Sequence, residues 1–113
     1  SDPTIINIAT TDMYASESGD FGEFLITRTG NLSQALTVNY TIRGTAENGV
    51  DYQTIPNSVT IPVGASMGAI AIRPKLDSQP EGLETVFLSL QNLPNSTAYM
   101  LGPNFQAVVN IRQ

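Results

Sequence analysis

Hydrophobic side chains recur at strand length in seven stretches of this chain, 4–10, 22–29, 35–43, 58–63, 67–73, 85–91 and 105–112, with polar and turn-forming residues between them. Val38, Tyr40 and Ile42 alternate with Thr37, Asn39 and Thr41, and Val59, Ile61 and Val63 alternate with Ser58, Thr60 and Pro62. Val86, Leu88 and Leu90 repeat the pattern, as do Phe105, Ala107, Val109 and Ile111. A period of two puts one face of a strand on a core and the other in water, the habit of antiparallel sheets. The pattern predicts seven antiparallel strands, and 113 residues are enough for one domain over 1–113 with a single two-layer core.

The placement of the acids sharpens this picture. If the strands run end to end, connections one, three and five meet at one pole and the remaining three at the other. The odd connections carry Asp12, Glu17 and Asp20, then Glu47 and Asp51, then Asp77, Glu81 and Glu84, whereas 30–34, 64–66 and 92–104 hold no Asp or Glu. Eight of the ten acids thus fall at one pole, leaving Asp2 and Glu23 to strand ends.

Composition narrows the chemistry. There is no Cys and no His, which removes disulfides, thiolate chemistry, ordinary zinc sites and imidazole catalysis. A net charge of −5 disfavours nucleic acid and anionic membranes as partners, because both require clustered Lys and Arg. No stretch approaches the ~20 apolar residues of a membrane span. Without Trp, and with four Tyr and four Phe, the aromatics suit a core rather than a sugar-stacking platform. Paired carboxylates can catalyse glycoside hydrolysis, but no aromatic subsites accompany them, and an enzyme is not expected. Segment 92–104, with Pro94, Tyr99, Met100, Leu101 and Pro103, is expected to cover the acid-free end of the core. No secretory signal precedes Ser1-Asp2-Pro3, so the chain reads as a module excised from a larger protein.

Several short motifs are more specific. Gly44-Thr45-Ala46-Glu47-Asn48-Gly49-Val50-Asp51-Tyr52 is a long irregular stretch whose Asn48-Gly49 pair favours a tight turn, projecting Asp51 from a bent segment. Together with Ala15-Ser16-Glu17-Ser18-Gly19, the Arg28-Thr29-Gly30 turn and Glu81-Gly82-Leu83-Glu84-Thr85, it resembles the Calx-beta domain over about residues 5–111. That family includes repeats in sodium/calcium exchangers, a domain of the integrin beta-4 subunit and many bacterial surface proteins.

The resemblance implies an immunoglobulin-like, seven-stranded antiparallel β-sandwich. It also implies Ca²⁺ held at the pole of the odd connections, which by position gives Glu17, Asp51, Asp77 and Glu81 as ligands, with Glu84 one step behind. Calcium takes roughly six to eight oxygens, which loops can supply as carboxylates, carbonyls and water. The fifth connection reads Lys75-Leu76-Asp77-Ser78 where strong binders carry a run of aspartates, so a single weak ion is expected. The implied role is a calcium-binding module of a larger extracellular or cell-surface adhesion protein, bacterial in the first instance. Its partners would be neighbouring domains of the same chain and a possible protein partner. The alternative is a metal-free spacer or protein-interaction module, in which Arg43, Arg73 and Lys75 pair with the acids as a solvated surface.

Overall fold

The computed structural model of the protein describes residues 4–16, 20–30, 32–75, 83–91 and 99–112. Nine strands are described: β1 (Ile5–Asp12), β2 (Tyr14–Ser16), β3 (Gly22–Thr29), β4 (Leu36–Arg43), β5 (Ser58–Ile61), β6 (Met67–Ile72), β7 (Glu84–Gln91), β8 (Met100–Leu101) and β9 (Gln106–Arg112). They form two sheets, in the orders β6-β3-β1-β8 and β2-β9-β7-β4-β5. The all-β sandwich expected from periodicity is the fold. Between the sheets lie Ile6 and Ile8 of β1, Phe24 and Ile26 of β3, and Ile72 of β6. They face Val38 and Tyr40 of β4, Val86 and Leu88 of β7, and Val109 of β9. Each such side chain contributes about 1.5–3 kcal/mol by leaving water.

The strand count is nine rather than the seven expected, and both additions have the same origin. A run of chain changes sheet without reversing direction. β1 leaves the first sheet at Met13 and continues as β2, which pairs in parallel with β9 through Tyr14↔Asn110, Ala15↔Ile111 and Ser16↔Arg112. A register shift between Thr10 and Asp12 in the β1–β3 ladder bends the strand at the crossing. Gly22 makes room there, because a Cβ on it would lie 2.5 Å from Val109 Cγ1 and 3.3 Å from the carbonyl of Asp12.

The other end of the chain mirrors this. β8, inside the segment expected to be only a covering loop, pairs in parallel with β1 through Ile5↔Met100 and Ile6↔Leu101. The chain then passes to β9 in the second sheet. Tyr99, just before β8, is buried as expected of a cover, and its hydroxyl donates to the carbonyl of Gln91 at 2.5 Å.

Since neither addition reverses the chain, the two poles survive. Ser16 sits beside Arg112, Gly22 beside Ile72, Arg43 beside Phe87 and Glu84 beside Ile111, all at the pole where β9 ends. At the opposite pole, Ile5 lies beside Thr29 and Met100. There the buried Arg28 joins two turns, its guanidinium donating to the carbonyls of Ala65 (2.8 Å), Gln34 (2.7 Å) and Pro62 (2.8 Å).

Candidate metal centre

The third connection owes its shape to a few side chains. Gly44 adopts φ +115°, a conformation that favours glycine, and a Cβ there would lie 2.3 Å from the carbonyl oxygen of Thr85. With the backbones this close, the Thr45 N–H donates to Thr85 Oγ1 at 3.2 Å, and the Thr85 N–H donates to Thr45 Oγ1 at 2.9 Å. The Ala46 N–H donates to the carbonyl of Thr85 at 2.8 Å, and the Ala46 methyl is buried. Gly44-Thr45-Ala46 is thus a clamp on the start of β7, one residue after Glu84.

Beyond the clamp the chain forms a closed loop. Asn48 ties its base, with Nδ2 donating to the carbonyl of Ile55 and Oδ1 accepting from the Ile55 N–H, both at 3.0 Å. Gly49 has φ +86°, as the Asn-Gly turn predicts. Asp51 Oδ2 accepts from the Glu47 N–H at 2.6 Å, and the Asp51 N–H donates to the carbonyl of Glu47 at 2.9 Å. One carboxylate oxygen therefore braces the loop.

Third and fifth connections are joined directly. The Lys75 N–H donates to the carbonyl of Asp51 and the Gln53 N–H to the carbonyl of Arg73, each at 2.9 Å, and Tyr52 bridges Pro74. First and fifth also touch, since the Arg73 guanidinium carbon lies 5.5 Å from the centroid of the Phe21 ring. Arg112, at the end of β9, lies 4.1 Å over Tyr14.

Of the five residues singled out from sequence, Asp51 and Glu84 are placed at this pole, Glu84 as the first residue of β7. Glu17, Asp77 and Glu81 lie outside the described residues. Among the described residues no three acidic side chains gather closely enough to hold a metal ion. Asp12 and Glu23, assigned from sequence to a connection and a strand end, are cross-strand partners at the same pole, and Thr11 Oγ1 donates to Glu23 Oε1 at 2.7 Å.

Two features of this pole were not foreseen. The ammonium of the exposed Lys75 donates to the carbonyl of Gly49 at 2.9 Å, holding a positive charge against the Asp51 turn. Tyr52, next to Asp51, is fully buried, and among the described residues its hydroxyl has no hydrogen-bond partner. Burial, and secondarily the Asp51 charge, push its pKa up to about 12. No sequence signal distinguishes a buried tyrosine with a partner from one without.

The donors available here are carboxylate and carbonyl oxygens, in a chain without His or Cys, and they suit a hard cation such as Ca²⁺ rather than a soft one. A two-sheet antiparallel sandwich with an acidic pole at the exit of its last strand is the architecture that comparison then places. The Calx-beta domain family model matches residues 1–113, and the chain belongs to that family.

Solved structures agree. The apo-form Calx CBD1 domain is similar with a TM-score of 0.71 and 22% identity, over 98% of this chain and 97% of that one. The Calx CBD2 domain gives 0.66 and 18%, over 96% and 86%. The calcium binding domain CBD12 of CALX1.1 gives 0.67 and 22%, over 94% of this chain but 44% of its own length, so the present chain spans less than half of it. At these identities the likeness concerns the fold. No curated protein sequence matches the chain.

Proposed function

We propose that the domain binds one calcium ion weakly at the pole of the first, third and fifth connections, stabilising that end of the sandwich and the adjoining linker in a larger surface or adhesion protein. Glu17, Asp51, Asp77 and Glu81 are the proposed ligands, with Glu84 behind them. The observation that carries this reading is the bond from the Lys75 N–H to the carbonyl of Asp51. It brings the third connection to within two residues of Asp77 along the chain. Asp51 Oδ1, which has no hydrogen-bond partner among the described residues, is the oxygen offered to the ion.

Membership of the Calx-beta family supports the choice of metal, and the tandem arrangement of CBD12 supports neighbouring domains as the first partners. A binding or regulatory module, not an enzyme, is the role proposed. Dissociation constants of ~10⁻⁴–10⁻³ M are typical of extracellular modules with few charged ligands. At about 100 times such a constant, calcium adds about 2.7 kcal/mol of stability. The test is thermal unfolding in EDTA and in several millimolar calcium. A raised midpoint in calcium is expected, with Asp51→Ala and Glu17→Ala abolishing the difference; equal midpoints for the parent chain reject the reading.

A metal-free spacer is favoured by one observation, the Lys75 ammonium already held at the carbonyl of Gly49. If that lysine replaces a metal, Lys75→Met lowers stability in EDTA and calcium does not restore it. If it competes with one, the same variant binds calcium more tightly in a calorimetric titration.

A further inference from the structure

The open side of the sandwich carries an unprotected edge. In the β3–β6 ladder the Arg28 N–H donates to the carbonyl of Ser66 at 2.8 Å, which makes that pair a hydrogen-bonded one. Bonding alternates along an antiparallel ladder, so Gly68, Ile70 and Ile72 face β3 while Met67, Ala69 and Ala71 direct their N–H and C=O groups outward. Arg73 continues the alternation, and its outward carbonyl is the one that accepts from Gln53. Among the described residues, nothing pairs with the outward groups of Met67, Ala69 and Ala71.

Edge strands are usually guarded by charge, proline or a bulge. β6 reads Met-Gly-Ala-Ile-Ala-Ile and has none of these. Met67 is 52% exposed. Beside the edge runs a groove of about 370 Å³ lined by Tyr40, Ile55, Val59, Ala69 and Ile70 among others.

We infer that this edge pairs with β6 of a second copy of the chain, antiparallel and centred on Ala69. The outward groups are self-complementary about that centre, with Ala69 opposite the copy's Ala69 and Met67 opposite its Ala71. On the inner side Ile70 comes opposite the copy's Gly68, where no side chain obstructs it. No like charges meet, because Arg73 falls opposite the copy's Ala65. The chain leaves the edge at Ala65, whose carbonyl turns in to Arg28, which clears the place held by Gln53. An antiparallel seam also points the two acidic poles in opposite directions, so the net charge of −5 on each copy is kept apart. A parallel strand or an acidic partner would lose that advantage.

Five residues a side is far fewer than the roughly 20–30 a side of a standard stable interface, so the dimer is weak and concentration-dependent. Sedimentation equilibrium of the full chain from about 10 µM to about 1 mM reads it, 1 mM corresponding to the weak end of specific association. The average mass is expected to climb from 12.1 kDa toward twice that value, equally in EDTA and in calcium. Ala69→Pro removes an outward N–H that β3 does not use, and Ala69→Lys sets two ammonium groups face to face. Both are expected to stay at 12.1 kDa, with Ala69→Lys deciding should the proline variant fail to fold. A constant 12.1 kDa for the parent chain, or association that persists in Ala69→Lys, overturns the inference.

Discussion

Arg28 is the one buried charged side chain among the described residues. It is 4% exposed, and its guanidinium is satisfied by three carbonyls, with no carboxylate among those partners. Replacing it with Met keeps much of the volume but leaves the carbonyls of Gln34 and Ala65 without a donor and that of Pro62 with only the Ala65 N–H. The expected loss is about 3–5 kcal/mol, read from urea unfolding. The two buried tyrosines make a contrasting pair. The Tyr40 hydroxyl donates to the carbonyl of Pro56 at 2.7 Å, so Tyr40→Phe is expected to cost about 1 kcal/mol. The Tyr52 hydroxyl has no such bond, and Tyr52→Phe is expected to be neutral or slightly stabilising. Both hydroxyls have pKa values pushed up from 10.0 to about 12, Tyr40 by burial, Tyr52 by burial and then by Asp51. Between pH 10 and 12 the folded chain therefore holds protons that the unfolded chain has released, so stability falls as pH rises through that window. Tyr52→Phe should flatten the fall. A cation at Asp51 should offset the carboxylate's field and lower the Tyr52 pKa, an effect visible in ultraviolet titration with and without calcium.

Among the elements, the Gly44-Thr45-Ala46 clamp has the most direct route from sequence to site. Gly44→Ala puts a Cβ into the carbonyl of Thr85 at a positive φ, and the expected cost is about 1–3 kcal/mol. Because the clamp holds Thr85, the residue after Glu84, to the start of the Asp51 loop, the same variant should shrink any calcium-dependent rise in melting midpoint. The seven long strands were legible because alternation such as Val38-Asn39-Tyr40 records which face each residue buries, and burial follows from the sandwich itself. β2 and β8 were not, since three and two residues are too few to establish a period. What holds them is main-chain bonding to distant strands, for example from the Asn110 N–H to the carbonyl of Met13 at 2.7 Å and from the Gly102 N–H to the carbonyl of Ile6 at 2.8 Å. Only Gly22 hints at the crossing in sequence, and a glycine at a strand start has many explanations.

For the whole molecule, strand parity was the most productive reading, because direction reverses at turns and not where a strand changes sheet. It placed Asp51, Glu84 and Arg73 at one pole from their order in the chain. It could not place the Lys75 ammonium at the carbonyl of Gly49, which depends on how one loop lies on another. The parallel joining of β2 to β9 has one more effect. The described chain runs from Thr4 at one pole to Arg112 at the other, along a body 52 Å long. Tension between its two ends draws β2 and β9 past each other lengthwise, so their bonds share the load instead of opening in succession. Pulled by an atomic force microscope from its two termini, the domain is expected to give way at one high peak. Asn110→Pro, which deletes the N–H bonded to Met13, should bring rupture at lower force; a domain embedded in a chain under strain would gain its toughness from this one short strand.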